Sequence, residues 1–275
     1  MTTSPRRRTL GQHFLADAGI AARIVDAVGA TSRDLVCEIG AGEGALTRLL
    51  GARAGRVVAL EVDRRLHAAL AETAEHWPTV EPRLADARTF PYEALREQRP
   101  AADGRVLVVG NLPYSASKPI LHRLWTARAA LEAATCMLQR EVAERLVAPP
   151  GGKDYGVPSV LWQVWADVAL LFTVPPAAFR PPPAVESAVV QALFRRTPRV
   201  PIDDPAVFAR VVKAGFGQRR KTLANALRTG FPGFGAAGVE ARLARAGIDA
   251  RRRAETLTLE EFARLARFFA APEAA

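Results

Sequence analysis

A short apolar run that ends in closely spaced glycines constrains the fold of this chain more than any other feature. Residues 35–39 are mostly apolar or β-branched and predict a buried strand. The segment Gly40-Ala41-Gly42-Glu43-Gly44 follows, and apolar residues then recur at helical spacing. A strand, a glycine turn and a helix in this order let a nucleoside-bearing cofactor approach the backbone closely. The order predicts an α/β domain with a parallel sheet.

Acidic side chains follow the next two predicted strands. Residues 56–60 predict a strand that ends at Glu61, about 20 residues past the first glycine, where a carboxylate can accept both ribose hydroxyls of an adenosine. A strand near residues 80–84 precedes Asp86, which could accept from an adenine amino group. Because parallel strands end at one edge of the sheet, these acids predict a nucleoside pocket. The G-x-G-x-G spacing differs from the G-x-G-x-x-G of dinucleotide oxidoreductases, the alternative interpretation.

The segment from Val106 to Tyr114 is where we expect the chemistry. Its apolar, β-branched start predicts a buried strand. Asn111 then offers a side-chain oxygen and two N–H donors, and Tyr114 offers a flat ring. A planar ring could lie on Tyr114 with its exocyclic nitrogen against the Asn111 oxygen and the Leu112 carbonyl. The alternative is an ordinary turn after a strand, since Asn and Pro are common turn residues.

A proline-rich segment, residues 175–183, surrounds Phe179 and predicts a stiff loop. The loop could hold Phe179 opposite Tyr114. A buried anchor is the alternative for this side chain, and the sequence leaves both open.

The length of the chain indicates its number of domains, and its net charge indicates the class of partner. The chain has 275 residues, 49% of them hydrophobic, which suggests one full domain plus a smaller one. Its formal charge of +10 favours a polyanionic partner such as nucleic acid.

The cysteines and histidines argue against metal binding. Cys37 and Cys136 lie in apolar runs and suit buried thiols, and the histidines show no ligand spacing. No signal-peptide core follows the N-terminal arginines, and no apolar run approaches the ~18 residues of a membrane span. We expect a soluble, cytoplasmic protein.

The C-terminal part predicts a helical domain with a basic surface. A polar linker with prolines, residues 197–205, precedes a segment in which the spacing of apolar residues predicts helices. This segment includes Arg219-Arg220-Lys221. These residues could contact phosphates or simply form a solvated face. We therefore expect a flexible basic arm over 1–10, a main domain over 11–198 and a helical RNA-binding domain over 204–270.

Several segments, in this order, together resemble the KsgA/RsmA family of small-subunit rRNA adenine dimethyltransferases. The resemblance runs from about residue 8 to residue 268, and it rests on Gly11-Gln12-His13-Phe14-Leu15, Glu38 to Thr47, Asn111-Leu112-Pro113-Tyr114, Met137 to Val142, Phe179 to Val190 and Arg219 to Leu223.

The resemblance implies a class I methyltransferase fold: a mainly parallel, seven-stranded, Rossmann-like sheet with a small all-α C-terminal domain. It implies S-adenosylmethionine as methyl donor, no metal, and dimethylation of two adjacent adenosines in a hairpin loop near the 3′ end of 16S rRNA. The partner would be the small ribosomal subunit or its precursor, late in assembly, and we expect a monomer.

The resemblance also implies roles for individual residues. The cofactor would lie against His13, Leu15, Gly40, Gly42, Glu61, Asp86 and Asn111. Tyr114 and Phe179 would grip the target adenine, with Asn111 and Leu112 beside its amino group. From their charge, and not from the resemblance, Arg219, Arg220 and Lys221 are the residues expected to contact RNA.

Some positions depart from the family pattern. The family often has Asn at the position of His13, Pro at that of Ala41, a larger aliphatic residue at that of Ala116 and hydroxyl residues near Lys118. These departures concern the shape of the loops near the target base.

Three alternatives remain. An Erm-type 23S rRNA methyltransferase is disfavoured by the Phe-Arg-Pro-Pro-Pro segment and the arginine-rich helical domain, and a DNA adenine methyltransferase by the lack of a sizeable target-recognition insert. The third is a non-catalytic RNA-binding assembly or transcription factor on the same scaffold.

Overall fold

The computed structural model describes residues 13–270, apart from the side chain of Thr73. The basic arm expected over residues 1–10 lies outside the described residues. By the contacts within each, the described residues form two compact units, 13–143 with 167–194 and 144–166 with 195–270. The first unit contains the sheet and the second is helical.

Nine strands occur in the described part of the chain. They are β1 (Phe14–Leu15), β2 (Leu35–Ile39), β3 (Arg56–Glu61), β4 (Val80–Leu84), β5 (Val106–Asn111), β6 (Ala133–Gln139), β7 (Ala166–Val174), β8 (Phe179–Arg180) and β9 (Ser187–Phe194).

The α-helices of the same residues are α1 (Ala18–Val28), α2 (Thr47–Gly51), α3 (Arg64–Glu75), α4 (Ser117–Ala127), α5 (Arg140–Val147), α6 (Val157–Trp165), α7 (Pro205–Gly217), α8 (Leu223–Gly230), α9 (Gly235–Arg245) and α10 (Leu259–Ala270). Within residues 13–270 every helix is too short or too polar to span a bilayer.

Seven strands form one sheet in the order β4-β3-β2-β5-β6-β9-β7. Strands β4, β3, β2, β5 and β6 are parallel to one another, and β9 runs antiparallel to β6. This confirms the mainly parallel, seven-stranded class I methyltransferase fold.

The register of the central strands brings the predicted functional segments to one edge. Ile39, the last residue of β2, lies opposite Leu60 on one side and Gly110 on the other. The glycine loop, Glu61 and Asn111 therefore all emerge at the carboxyl end of the sheet. Gly110 is needed there, because a Cβ at this position would come within 2.5 Å of the Ile39 carbonyl oxygen.

The glycine loop has the backbone that its composition predicts. Gly40 and Gly42 have φ values of 66° and 57°, a left-handed conformation that side chains rarely adopt. A Cβ on Gly42 would also come within 3.3 Å of the Phe14 ring. The loop can therefore keep its shape only with glycine at these positions.

Side chains cap the start of several helices. Asp17 accepts the Ile20 N–H at 3.0 Å at the start of α1, and Asp204 accepts two amide N–H groups before Pro205 opens α7. Thr258 and Glu261 form a capping box, in which the Thr258 N–H donates to the Glu261 carboxylate at 2.9 Å. Each cap satisfies N–H groups that would otherwise lack a partner.

The second unit includes a segment from inside the range 11–198 that the sequence suggested for the main domain. Residues 144–166 belong to it together with the C-terminal helices. Arg219, just after α7, explains part of this grouping, because its guanidinium donates to the main-chain carbonyls of Lys153 and Tyr155 and pairs with Glu255.

Candidate functional site

A cavity of about 320 Å³ opens at the carboxyl end of the parallel strands, in the first unit. This volume is within the usual range for a small-molecule site, roughly 300–1,000 Å³. Eight of the predicted site residues line it: His13, Gly40, Gly42, Glu61, Asp86, Asn111, Leu112 and Tyr114.

Glu61 is held by the backbone around it. Its side chain is buried; one carboxylate oxygen accepts the Gly42 N–H at 2.9 Å, and the other accepts the N–H groups of Val62 and Asp63, each at 2.8 Å. A carboxylate has about four acceptor sites, so capacity remains for ligand hydroxyls. The bond to Gly42 ties the carboxylate to the glycine loop.

Asp86 forms an ion pair at another part of the cavity wall. The Arg88 guanidinium donates to both carboxylate oxygens, at 2.5 Å for the shortest contact, and the Arg88 backbone N–H adds a bond of 2.8 Å. The guanidinium hydrogen bond holds the pKa of Asp86 below its ordinary value. The carboxylate is therefore an ionised acceptor. Arg88 also lines the cavity, which the sequence did not suggest.

A second acidic residue lies beneath the glycine loop. Glu38 is buried, and burial raises the pKa of its carboxyl to about 8. Thr47, the first residue of α2, donates its hydroxyl to the Glu38 carboxyl at 2.6 Å. The pair joins the two ends of the loop, and the protonated carboxyl adds no charge beside Glu61.

The Asn111 amide is oriented by a distant main-chain group. Its side-chain nitrogen donates to the His13 carbonyl at 2.9 Å, which leaves the side-chain oxygen as the acceptor end of the amide. The His13 ring donates from Nδ1 to the Pro181 carbonyl at 2.8 Å. The Leu112 N–H donates to the Met137 carbonyl at 3.1 Å, which fixes the backbone that carries the Leu112 carbonyl.

Tyr114 contributes an aromatic surface. Its half-buried ring lies 5.5 Å from the His13 ring between centroids, at 36° between planes. Its hydroxyl forms a 2.6 Å hydrogen bond with that of Ser187. Burial raises the pKa of the Tyr114 phenol above its ordinary value, so the ring is neutral at physiological pH.

The structure does not bring Leu15 and Phe179 to the cavity. They are opposite each other in the two-stranded antiparallel sheet of β1 and β8, and their side chains are only 9% and 2% exposed. Both belong to the main hydrophobic cluster of the first unit. Phe179 thus has the position of a buried anchor, because the β1–β8 pairing turns its ring into the core.

The predicted basic segment divides into two kinds of residue. Arg219 is engaged within the second unit, with Glu255 and with two backbone carbonyls. Arg220 and Lys221 are exposed. Phosphate contact from this segment would therefore fall chiefly to Arg220 and Lys221.

The departures from the family pattern lie close to the site. Ala41 is buried within the glycine loop, and Ala116 lines the cavity. Lys118 is exposed, near the start of α4. In the described part of the chain no group of three or more His, Cys, Asp or Glu side chains could hold a metal ion. Cys37 and Cys136 are buried free thiols, as their apolar surroundings in the sequence predicted.

Comparisons with known proteins cover nearly the whole chain. A family model described as ribosomal RNA adenine dimethylase matches residues 4–271. Ribosomal RNA small subunit methyltransferase A of Moorella thermoacetica is 44% identical over 265 residues, which are 95% of this chain and 91% of that protein. The protein of the same name from Anaeromyxobacter sp. strain K is 47% identical over 267 residues, or 95% of this chain and 92% of its own.

Two solved structures share the fold. A dimethyladenosine transferase from Plasmodium falciparum matches with a TM-score of 0.75 and 23% identity, covering 92% of this chain and 96% of its own. The 23S rRNA methyltransferase ErmE matches with a TM-score of 0.67 and 26% identity, covering 94% of this chain and all of its own. This chain belongs to the ribosomal RNA adenine dimethylase family, a family of S-adenosylmethionine-dependent rRNA adenine dimethyltransferases.

Proposed function

We propose that this protein methylates N6 of two adjacent adenosines in a hairpin loop near the 3′ end of 16S rRNA. The substrate is the small ribosomal subunit or its precursor, and the reaction accompanies late subunit assembly in the cytoplasm. The small-subunit relatives at 44% and 47% identity support this choice of RNA. The enzyme acts as a monomer.

The cavity suits S-adenosylmethionine, which supplies an electrophilic methyl group on a sulfonium. In this proposal Glu61 accepts hydrogen bonds from the ribose hydroxyls and Asp86 accepts one from the adenine amino group, which is supported by their lining the same cavity. Gly40 and Gly42 leave their part of the cavity wall free of side chains, and a side chain at either position would strain the left-handed backbone. His13 closes the wall beside Asn111.

Asn111 and Leu112 act on the target nitrogen. The N6 lone pair of adenine is delocalised into the ring, so this nitrogen is a poor nucleophile while it stays planar. The Asn111 side-chain oxygen and the Leu112 carbonyl accept the two N6 hydrogens and favour tetrahedral geometry in the transition state. As the N–C bond forms and the S–C bond breaks, one N6 proton leaves to solvent. In-line placement of the N6 nitrogen, the methyl carbon and the sulfonium sulfur could lower the activation free energy by as much as ~7–11 kcal/mol, which is the largest single contribution.

Tyr114 stabilises the base outside its stack. Extrusion of a base costs a few kcal/mol, and less from a loop. Stacking on an aromatic ring returns ~1–3 kcal/mol per base. Because Phe179 is 2% exposed, we assign the stacking contact to Tyr114, with Phe179 supporting the wall from the core side.

Phosphate contacts come from the second unit. Arg220 and Lys221 are exposed on a chain of net charge +10, so they can neutralise phosphates at little desolvation cost. These contacts position the RNA and do not select the base.

The observation that carries this proposal is the orientation of Asn111, whose amide nitrogen is occupied by the His13 carbonyl at 2.9 Å so that its oxygen is the free acceptor. The test incubates the protein with labelled methyl donor and under-methylated small subunits, followed by mass mapping of the rRNA. Two adjacent N6,N6-dimethyladenosines in 16S rRNA are expected. An unmodified 16S rRNA would contradict the proposal.

A second candidate, modification of 23S rRNA, has one observation in its favour. ErmE shares 26% identity over 94% of this chain. The same assay with under-methylated large subunits distinguishes the two, because labelled 23S rRNA together with unlabelled 16S rRNA would favour this alternative.

A further inference from the structure

Tyr114 is held at both ends by serine hydroxyls. Ser117, the first residue of α4, donates its hydroxyl to the Tyr114 carbonyl at 3.1 Å. Ser187, the first residue of β9, forms a 2.6 Å hydrogen bond with the Tyr114 hydroxyl. One serine fixes the backbone of the residue and the other fixes the far end of the ring.

Both serines are buried, whereas the ring between them is only half-buried. Ser187 is 0% exposed and Ser117 is 2% exposed, and neither lines the cavity. A buried hydroxyl that loses its partner pays the full cost of desolvation, so these hydrogen bonds resist breaking.

The anchor at Ser187 is part of the sheet. Ser187 lies opposite Gln139 in the antiparallel pair of β9 and β6, which joins seven residues on each strand. A side chain on paired backbone is a more precise support than one on a free loop. Tyr114, in contrast, lies in the connection between β5 and α4.

The hydroxyl of a tyrosine lies on the axis of the second side-chain torsion, so a hydrogen bond to it leaves rotation about that axis free but restrains the position of the far end of the ring. The His13 ring lies 5.5 Å from the Tyr114 ring between centroids, at 36° between planes. The Ser187 hydrogen bond supplies the restraint at the opposite end of the ring from the backbone.

We propose that Ser187 is a positioning residue for the methyl transfer. It fixes the far end of the Tyr114 ring, and with it the position of the surface on which the flipped adenine stacks, and it touches neither the base nor the methyl donor. This inference rests on the proposed function, because it takes Tyr114 as the surface for the target base. Ser117 fixes the backbone on which that ring turns.

The consequence is a loss of rate without a loss of donor binding. A displacement of about 1 Å from the reactive geometry can lower a rate by about 10²-fold. Because the ring keeps its area when Ser187 is removed, we expect a smaller loss, roughly tenfold in single-turnover methyl transfer. The dissociation constant for S-adenosylmethionine should stay within about twofold of the wild-type value.

A double-mutant cycle tests the link through the tyrosine hydroxyl. Ser187→Ala, Tyr114→Phe and the double variant are compared in single-turnover transfer to 16S rRNA. If Ser187 acts through that hydroxyl, each single variant is slower by a similar factor and the double variant is no slower than either. Multiplying effects, or a Ser187→Ala rate equal to wild type, would overturn the proposal.

Thr135→Val is a matched control for the loss of a buried hydroxyl. Thr135 is 1% exposed, lies in the same strand pair and accepts a hydrogen bond from Gln191 at 3.2 Å. This variant should lose a comparable amount of thermal stability and keep its transfer rate. If Thr135→Val slows transfer as much as Ser187→Ala does, the loss of rate comes from general destabilisation of the sheet, and the proposal is wrong.

A second measurement separates this inference from the proposed function. An oligonucleotide with 2-aminopurine at the target position reports stacking through quenched fluorescence, whether or not methyl is transferred. Quenching by the wild type that weakens in Ser187→Ala supports the inference, and equal quenching by both proteins, or none by the wild type, overturns it. A wild type that quenches the probe but leaves 16S rRNA unmodified would contradict the proposed function alone.

Discussion

The side-chain nitrogen of Asn111 donates a 2.9 Å hydrogen bond to the main-chain carbonyl of His13, 98 residues earlier in the chain. Because of this bond, the side-chain oxygen of Asn111 is the end of the amide that remains to accept a hydrogen bond from a substrate. The family pattern often places Asn at the position of His13, and the bond uses only the backbone of this residue. The substitution therefore leaves the orientation of Asn111 intact.

Asn111→Ala should nearly abolish methyl transfer while RNA binding stays largely intact. The loss of a preorganised acceptor typically lowers kcat by about 10²–10³-fold. Single-turnover rates and filter binding of small subunits measure the two effects. Wild-type turnover in this variant would remove the proposed role of the amide.

Asn111→Asp is a sharper variant because it keeps the shape and an acceptor oxygen. A carboxylate cannot donate to the His13 carbonyl, so the bond at 2.9 Å would be replaced by repulsion between two oxygens. We expect a loss of rate close to that of Asn111→Ala. A fully active Asp variant would show that an oxygen in this place suffices without the His13 contact.

Glu61→Gln should weaken donor binding by about 10- to 100-fold. The Glu61 carboxylate accepts three backbone N–H groups, and the amide nitrogen of glutamine would face at least one of them. A neutral amide also replaces the charged acceptor proposed for the ribose hydroxyls; hydrogen bonds to charged groups contribute about 1.5–3 kcal/mol, and 1.4 kcal/mol corresponds to tenfold in affinity. Calorimetric titration with S-adenosylmethionine measures the dissociation constant of the donor. Glu43→Gln, at an exposed position of the same loop that does not line the cavity, is the matched control and should bind like the wild type.

Glu38→Gln should change how stability depends on pH. The pKa of Glu38 is about 8 in the folded protein, above its ordinary value of 4.5. Between these values the folded state holds a proton that the unfolded state has lost, so this residue makes the wild type less stable as pH rises from about 5 to 8, after which its contribution levels off. Glutamine can still accept a hydrogen bond from the Thr47 hydroxyl, and its side chain does not ionise.

The measurement for Glu38 is urea unfolding of both proteins at pH 5 and pH 8. The variant should gain stability relative to the wild type as pH rises, by at most about 1.4 kcal/mol per unit of pH. A difference between the two proteins that is the same at both pH values would show that Glu38 ionises normally.

Arg220→Ala should weaken binding to small subunits and flatten its dependence on salt. Each lost phosphate contact lowers the slope of log K against log salt by roughly 0.7–0.9. Arg219→Ala serves as the comparison, because it removes contacts to Glu255 and two carbonyls and should lower the Tm of the helical unit. An unchanged salt slope in Arg220→Ala would count against phosphate contact at this residue.

The arrangement of the cavity wall followed from the sequence because parallel strands gather their carboxyl ends at one edge. Gly40, Glu61, Asp86 and Asn111 each lie at or just after the end of a different strand, and the structure brings all four to one cavity. Strand periodicity and the glycine spacing were sufficient for this part.

Contacts made by short or distant segments could not be predicted. Strand β1 has only two residues, too few for a periodic signal, so its pairing with β8 and the burial of Phe179 appear only in the fold. The Ser187 contact to Tyr114 spans 73 residues and depends on the antiparallel register of β9. The place of residues 144–166 in the second unit likewise depends on contacts such as those of Arg219 with two carbonyls.

The central claim is that a methyl donor and an adenine share one cavity, with the base nitrogen against the Asn111 oxygen. A crystal structure of the protein with S-adenosylhomocysteine and an adenosine-containing hairpin tests it most directly. N6 is expected within hydrogen-bond distance of both the Asn111 side-chain oxygen and the Leu112 carbonyl. An adenine bound elsewhere, or an Asn111 amide with its oxygen turned toward His13, would contradict the account.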